Sequence, residues 1–559
     1  MLTLATRSHT RTLLEAAALT APDADQPAII YLETDHEPQV ITRAHFRQQT
    51  AAYAAALRRR GVQPRDLVVI AHTQNLESIY AFWGAMLVGA IPSMFPTLTE
   101  KLDPAIYMEN MAELARLSDV RAILTTDAFA LTLAAHVPCA VWGTSDLQAD
   151  AADALTAFPV PPPDEIAFLQ HSSGTTGLQK GVALAHDAVL NQLAAYSDAL
   201  ALRDDDVLVS WLPLYHDMGL IAGFLLPLVQ GIPLVLMSPF DWVQHPAMLF
   251  RAIHAYRGTL CWLPNFAYNH CARRIRDRDL EGLSAASMRL FVNCSEPVRH
   301  DSHQQFLSRF APLGVTAAML GVSYAMAENT FAVTQTPPGV PARLDIIDRD
   351  VLTHENRALP VAADHPAAQV RVSCGPLIAH SEARVLDAEG NPLPDRQVGE
   401  IAVRSDCMLT GYYRRPDLPL PADGWYRTGD RGYRAADELY IVGRSKDLII
   451  NAGKNVYPQD IEAIANHVPN VVPGRAVCFG VPDEREGTEL IALVAEVRTQ
   501  DPAEQRQVGA ALRQAVAAQS SVTLTYVKLV DDRWLIKTSS GKIARAANRD
   551  KWLREQEQG

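Results

Sequence analysis

One stretch of this chain limits its fold more than any other: Ser172-Ser173-Gly174-Thr175-Thr176-Gly177-Leu178-Gln179-Lys180-Gly181. The apolar run Ile166-Ala167-Phe168-Leu169 leads into it as a buried strand, and a helical pattern begins after it at His186. A loop of hydroxyls, glycines and one lysine between strand and helix is suited to a polyphosphate. Glycines let backbone N–H groups approach the anion, hydroxyls add donors, and Lys180 supplies a point charge. The spacing is not G-x-x-x-x-G-K-[ST], so this is not a Walker A loop.

The rest of the N-terminal half alternates in the same way. Thr42 is placed to cap a helix that carries Phe46, Tyr53 and Leu57 on one side and stops at Gly61. Leu67-Val68-Val69-Ile70 reads as a buried strand and 77–88 as the next helix, and strands recur at Val207-Leu208-Val209 and Leu290-Phe291-Val292. This rhythm predicts an α/β class: a large N-terminal domain of layered, mostly parallel sheets and helices, with a small α+β domain after it. A length of 559 residues calls for at least two domains. The boundary is placed at residue 443, with a hinge at 444–447 and the small domain over 448–559. In that domain, strands at Ala476-Val477-Cys478-Phe479 and 490–497, a turn at Gly480-Val481-Pro482-Asp483 and a helix over 503–518 are expected.

A formal charge of −13 argues against a nucleic-acid partner, because phosphate backbones need a basic face. The cysteines at 139, 261, 271, 294, 374, 407 and 478 form no C-x-x-C pair and read as reduced thiols of a cytoplasmic protein. The apolar stretch 218–237 is interrupted by Gly223, Pro227, Gln230, Gly231 and Pro233, so it reads as a buried helix and a core strand, not a membrane span.

Five further motifs follow the loop in order: Leu212-Pro213-Leu214-Tyr215-His216-Asp217-Met218-Gly219, Ser323-Tyr324-Ala325-Met326-Ala327-Glu328, Trp425-Tyr426-Arg427-Thr428-Gly429-Asp430, Gly443-Arg444-Ser445-Lys446-Asp447 and Thr538-Ser539-Ser540-Gly541-Lys542-Ile543. With these the chain resembles the adenylate-forming superfamily of acyl-CoA synthetases and adenylation domains. Pro264-Asn265-Phe266-Ala267-Tyr268, Glu296-Pro297-Val298 and Tyr457-Pro458-Gln459-Asp460-Ile461-Glu462 make it most similar to the fatty acyl-AMP ligases. A long polar connection over 337–372 matches the insertion of that branch, which is thought to restrain the small domain and disfavour coenzyme A.

The resemblance implies an acid–thiol ligase. ATP and magnesium convert a carboxylic acid to acyl-AMP with loss of pyrophosphate. The acyl group then passes to the phosphopantetheine thiol of a carrier protein, as in polyketide, peptide or lipid assembly. Ser172, Ser173, Gly174, Thr175, Thr176, Gly177 and Lys180 would hold the phosphates, and Glu328 with Thr175 the metal. Ser295, Glu296, Pro297, Ser323, Tyr324, Ala325 and Met326 would surround the adenine, with Tyr324 stacked on it. Asp430 would take the ribose hydroxyls, and Arg444 and Lys446 would lie near ribose and phosphate. Lys542 is the main catalytic candidate, carried in by a mobile small domain to bridge carboxylate and α-phosphate. His216 would gate the acyl carboxylate or orient Asp217. The basic run Arg533, Lys537, Lys542, Arg545, Arg549, Lys551 and Arg554 would steer an acidic carrier or form a solvated face.

Cys294 and Ala325 stand where the branch usually has glycine, and with Phe266 they would line an acyl pocket suited to a short, medium or modified acid. His171 and Asn329 also depart from the commoner residues. Rival functions are an acyl-CoA ligase, a relative that passes its activated group to a nitrogen nucleophile, and a non-catalytic adenylate-binding module. The last is disfavoured because Glu328, Asp430 and Lys542 are all present.

Overall fold

Two seven-stranded sheets form the large domain, and each owes its parallel core to strands that are apolar on both faces. The structure, a computed structural model, describes all residues except 1–9, 21–23, 73–75, 100–103, 148–157, 172–179, 484–487, 539–541 and 559. The phosphate-loop residues Ser172, Ser173, Gly174, Thr175, Thr176 and Gly177 therefore lie outside the described residues, and Lys180 lies within them.

One sheet runs, edge to edge, Leu320–Val322, Leu290–Asn293, Leu260–Leu263, Leu208–Ser210, Leu234–Met237, Pro27–Leu32 and Gln39–Thr42. Only its last pair is antiparallel. The other carries Ile166–His171 beside Gly181–Ala185, so the strands on either side of the phosphate loop are antiparallel neighbours. Thr42 caps the helix Arg43–Arg59, its hydroxyl accepting from the His45 N–H at 3.2 Å, and Gly61 beyond the helix end has φ +82°. A four-stranded antiparallel sheet, from Ser381–Leu386 to Glu438–Arg444, completes the large domain. The small domain has its own apolar core under the strands Val471–Asp483, Thr488–Val497 and Tyr526–Val530.

The stretch 218–237 is the buried helix and core strand expected, with Leu234–Met237 as the strand and Met218–Leu225 wound as a π-helix before Leu226–Gln230 continues as α. Gly219 permits this path, since a Cβ there would fall 2.1 Å from the Pro213 carbonyl oxygen. One local expectation needs correction. The expected turn at 480–483 is strand instead, paired from Gly480↔Ile491 to Asp483↔Thr488. Val471–Asp483 is an edge strand, where Pro482 removes no hydrogen bond that the ladder needs.

Buried imidazoles, His186 and His303 among them, are expected to make the fold acid-sensitive. Burial lowers His186 and His303 from 6.5 to about 4, and the Leu13 N–H donates to His186 Nδ1. The unfolded chain binds these protons near 6.5 and the folded chain does not, so stability falls as pH drops from 6.5 towards 4. The loss at pH 5 is on the order of 1–2 kcal/mol per imidazole. Denaturant titrations at pH 7 and pH 5 measure it, and His186→Gln should flatten the slope.

Candidate active site

The Thr538 N–H donates to the Lys542 carbonyl at 2.8 Å, and the helix Arg545–Gln558 begins three residues after Lys542. Its Nζ crosses to the large domain and donates to the Ser295 carbonyl at 2.7 Å. Ser295 has φ +70°, a left-handed conformation that non-glycine residues rarely adopt. Burial, reinforced by the Lys542 charge, pushes His216 down to about 3, so its imidazole is neutral at working pH. The Nε2 of His216 is buried without a hydrogen-bond partner among the described residues. Asp217 accepts from the Met218 N–H at 2.8 Å; burial raises its carboxyl and Lys542 opposes that rise.

Asp430 lies after Gly429, whose φ is +74°, and pairs across the sheet with Arg444. Arg444 Nε donates to Asp430 Oδ1 at 3.1 Å and the Tyr324 hydroxyl donates to Oδ2 at 2.7 Å. Tyr324 was expected only as a stacking face; its bond to Asp430 is an additional tie. Ser323 is buried, its hydroxyl donating to the Thr334 carbonyl at 2.8 Å. Glu296 accepts from the Phe266 N–H at 2.9 Å, at the start of the helix Asn265–Arg274, and Pro297 follows it on the cleft wall. Met326 donates its N–H to the Phe331 carbonyl at 2.9 Å. Lys446 lies in the short turn Ser445–Asp447, where burial and Arg444 lower its pKa.

Glu328 occupies the single turn Ala327–Asn329. Burial raises its carboxyl, while the Tyr412 hydroxyl donates to Oε1 at 3.1 Å and favours the charged form. Thr330, two residues on, has φ +59° and ψ −54°, a strained conformation for a β-branched residue. The bond from its hydroxyl to the Cys407 carbonyl at 2.7 Å helps hold it there. Asn329 is fully buried, bonded to Ala332 and Ser405, and His171 packs edge-on to Phe95 at 5.0 Å. Among the described residues no three His, Cys, Asp or Glu groups converge as a metal cage. A lone carboxylate beside phosphate oxygens is how magnesium is commonly held.

Ser295, Tyr324, Asp430, Arg444 and Lys542 border a cleft of about 3180 Å³ between the domains. Ala325 and Phe266 line it together with Trp211, which stacks on Trp242 at 3.6 Å. Cys294 does not line it: the residue is fully buried, its Sγ 3.8 Å from the Ser295 hydroxyl, and burial raises the thiol to about 12. In this structure Cys294 stands directly behind Ser295. The basic run is also not one exposed face. Arg545 turns inward to Asp447 at 3.1 Å and Glu462 at 2.6 Å, and Lys551 donates to the Trp534 carbonyl.

The segment 337–372 is structured, with a hairpin of Leu344–Asp348 and Ala368–Val372 and the helix Arg349–Glu355. Ile347 and Leu352 are buried with Tyr433 and Tyr440 of the antiparallel sheet. Arg371 donates to both oxygens of Asp460 in the small domain at 2.8 and 3.2 Å, and Arg349 to the Gln519 carbonyl at 2.8 Å.

A family model for AMP-binding enzymes matches residues 14–413. The long-chain-fatty-acid–AMP ligase FadD32 of Mycolicibacterium smegmatis is 31% identical over 572 residues, covering 93% of this chain and 90% of the relative. The medium-chain-fatty-acid–acyl-carrier-protein ligase JamA of Moorena producens is 32% identical over 539 residues, covering 90% and 88%. A solved structure from work on fatty acyl-adenylate ligases of E. coli and L. pneumophila matches with a TM-score of 0.89 at 27% identity, over 98% of both chains. The chain belongs to the AMP-binding enzyme family. It is an adenylate-forming ligase that uses ATP to convert a carboxylic acid into an acyl-AMP. No helix among the described residues is long and apolar enough to cross a membrane.

Proposed function

We propose that the enzyme activates a fatty or modified short-to-medium acid and passes the acyl group to the phosphopantetheine thiol of an acyl carrier protein. The observation that carries this reading is the bond from Lys542 Nζ to the Ser295 carbonyl at 2.7 Å. It supports a role in which the small domain delivers an ammonium to the reacting phosphate. As the acid attacks and pyrophosphate leaves, Lys542 bridges the incoming carboxylate and the α-phosphate, and neutral His216 flanks it without adding charge. Asp430 orients the ribose, Tyr324 and Ala325 border the base, and Lys180 meets the outer phosphates. Magnesium, held by Glu328 with Thr175, would neutralise charge on the pyrophosphate. Lys446, at the hinge, would take up the rotation between half-reactions. Seven cysteines with no C-x-x-C pair fit a reducing compartment, and we assign the reaction to the cytoplasm.

The preference for a carrier over coenzyme A rests on the ties from 337–372 to the small domain, which favour one domain arrangement. Labelled pyrophosphate exchange over a panel of carboxylic acids tests the first half-reaction. Mass analysis with carrier protein or coenzyme A tests the second, and accumulation of acyl-CoA thioester would favour the coenzyme A ligase. In acid profiling, an optimum at palmitate-like length argues against a short-to-medium substrate. Arg371→Ala leaves Asp460 without its bidentate partner. It is expected to raise turnover with coenzyme A several-fold, with a stability loss of about 1–3 kcal/mol, read from parallel thioester assays and melts.

A further inference from the structure

The segment after the strand Gly399–Ser405 runs from the Glu328 turn to the strand that begins directly after Lys180. The Leu409 N–H donates to the Glu328 carbonyl at 2.8 Å, and the Tyr413 N–H to the Gly181 carbonyl at 2.8 Å. Between them Gly411–Tyr412 forms a short antiparallel strand on Gly181–Ala185, with Tyr412 opposite Val182. The backbone around Tyr412 is therefore tied both to the Glu328 turn and to the strand that begins directly after Lys180. Its side chain repeats the connection. The hydroxyl donates to Glu328 Oε1 at 3.1 Å and lies 2.7 Å from the Tyr426 hydroxyl, while its ring stands 5.0 Å from Lys180 Nζ. A phenol has one proton. With the Tyr412 proton directed at Glu328, Tyr426 is the donor between the two hydroxyls.

We propose that Tyr412 is a positioning residue that holds the Glu328 carboxylate and the Lys180 ammonium as a matched pair, and so sets the geometry of the magnesium–polyphosphate end of ATP. The inference rests on the roles given above to Glu328 and Lys180. A hydroxyl chain from Tyr426 through Tyr412 ends on the Glu328 carboxylate and restricts its rotamers. The ring face separately stabilises the lysine cation.

Tyr412→Phe removes the donor and keeps the ring. The expected result is a rise on the order of tenfold in half-saturating magnesium for pyrophosphate exchange, with the KM for ATP rising alongside. Nucleotide binding by calorimetry should weaken with magnesium present and be unchanged in EDTA. Thiol transfer from supplied acyl-AMP, and the Tm, should match the parent. Tyr412→Leu, which also removes the ring, should weaken ATP binding even in EDTA through Lys180. Glu328→Gln is measured in parallel. An unchanged metal dependence in Tyr412→Phe beside a shifted one in Glu328→Gln overturns the role of Tyr412. An unchanged dependence in both variants overturns the assignment of Glu328 and the inference with it. An equal loss in both half-reactions, or a lowered Tm, marks Tyr412 as a packing residue and also overturns the proposal.

Discussion

Lys542→Ala is expected to slow acyl-adenylate formation by about 10²–10³-fold, the usual cost of removing one preorganised donor from a developing anion. Nothing else among the described residues repeats its position: it comes from the small domain, donates to the Ser295 carbonyl, and its charge is felt at His216, Asp217 and Cys294. Transfer from supplied acyl-AMP to a thiol should change little, because pyrophosphate has already left. Lys542→Arg should restore only part of the rate, since a planar fork does not reproduce a compact ammonium. Single-turnover assays of each half-reaction separate the outcomes, and an equal loss in both would remove the lysine from the first step. The variant also relieves one of the two effects that lower His216. The imidazole should then titrate above about 3 while burial keeps it below 6.5.

The parts of this arrangement that the sequence made legible are local. Thr42 announces a helix because an N-cap acts within three residues, and Leu67-Val68-Val69-Ile70 announces a strand because both its faces are apolar. Gly429, at positive φ before Asp430, belongs to a motif that can be read in six residues. What stayed hidden joins distant positions. Tyr324 and Asp430 are 106 residues apart, and Tyr412 and Glu328 are 84 apart. No periodicity encodes such pairs; Gly411-Tyr412-Tyr413 reads only as a short aromatic stretch until the strand Gly181–Ala185 lies beside it. The π-helix was hidden for a different reason. It needs a close backbone approach of Pro213 to Gly219, which hydrophobic patterning does not register. At Cys294 the sequence marks a side chain larger than glycine but not the direction it takes, and in the structure it is buried behind Ser295.

Asp430→Asn is expected to raise the KM for ATP by about 10–100-fold while leaving the KM for the acid near its parent value. Each Asp430 oxygen already accepts one bond, from Arg444 at 3.1 Å and from Tyr324 at 2.7 Å. An ionised carboxylate oxygen can accept a second, so ribose hydroxyls can bind without displacing either donor. The amide keeps the shape but turns one acceptor into a donor and removes the charge that pairs Arg444. Arg444, whose pKa is raised chiefly by Asp430, would then face the site with its main counter-charge gone. Deoxynucleotides distinguish a ribose contact from a general loss of fold. If Asp430 accepts the hydroxyls, 2′-deoxy- and 3′-deoxy-ATP should bind the parent more weakly than ATP does, and the variant should no longer tell the three apart. A constant penalty for the deoxynucleotides in both proteins would mean that the ribose is held elsewhere and that Asp430 serves only to align Tyr324 with Arg444.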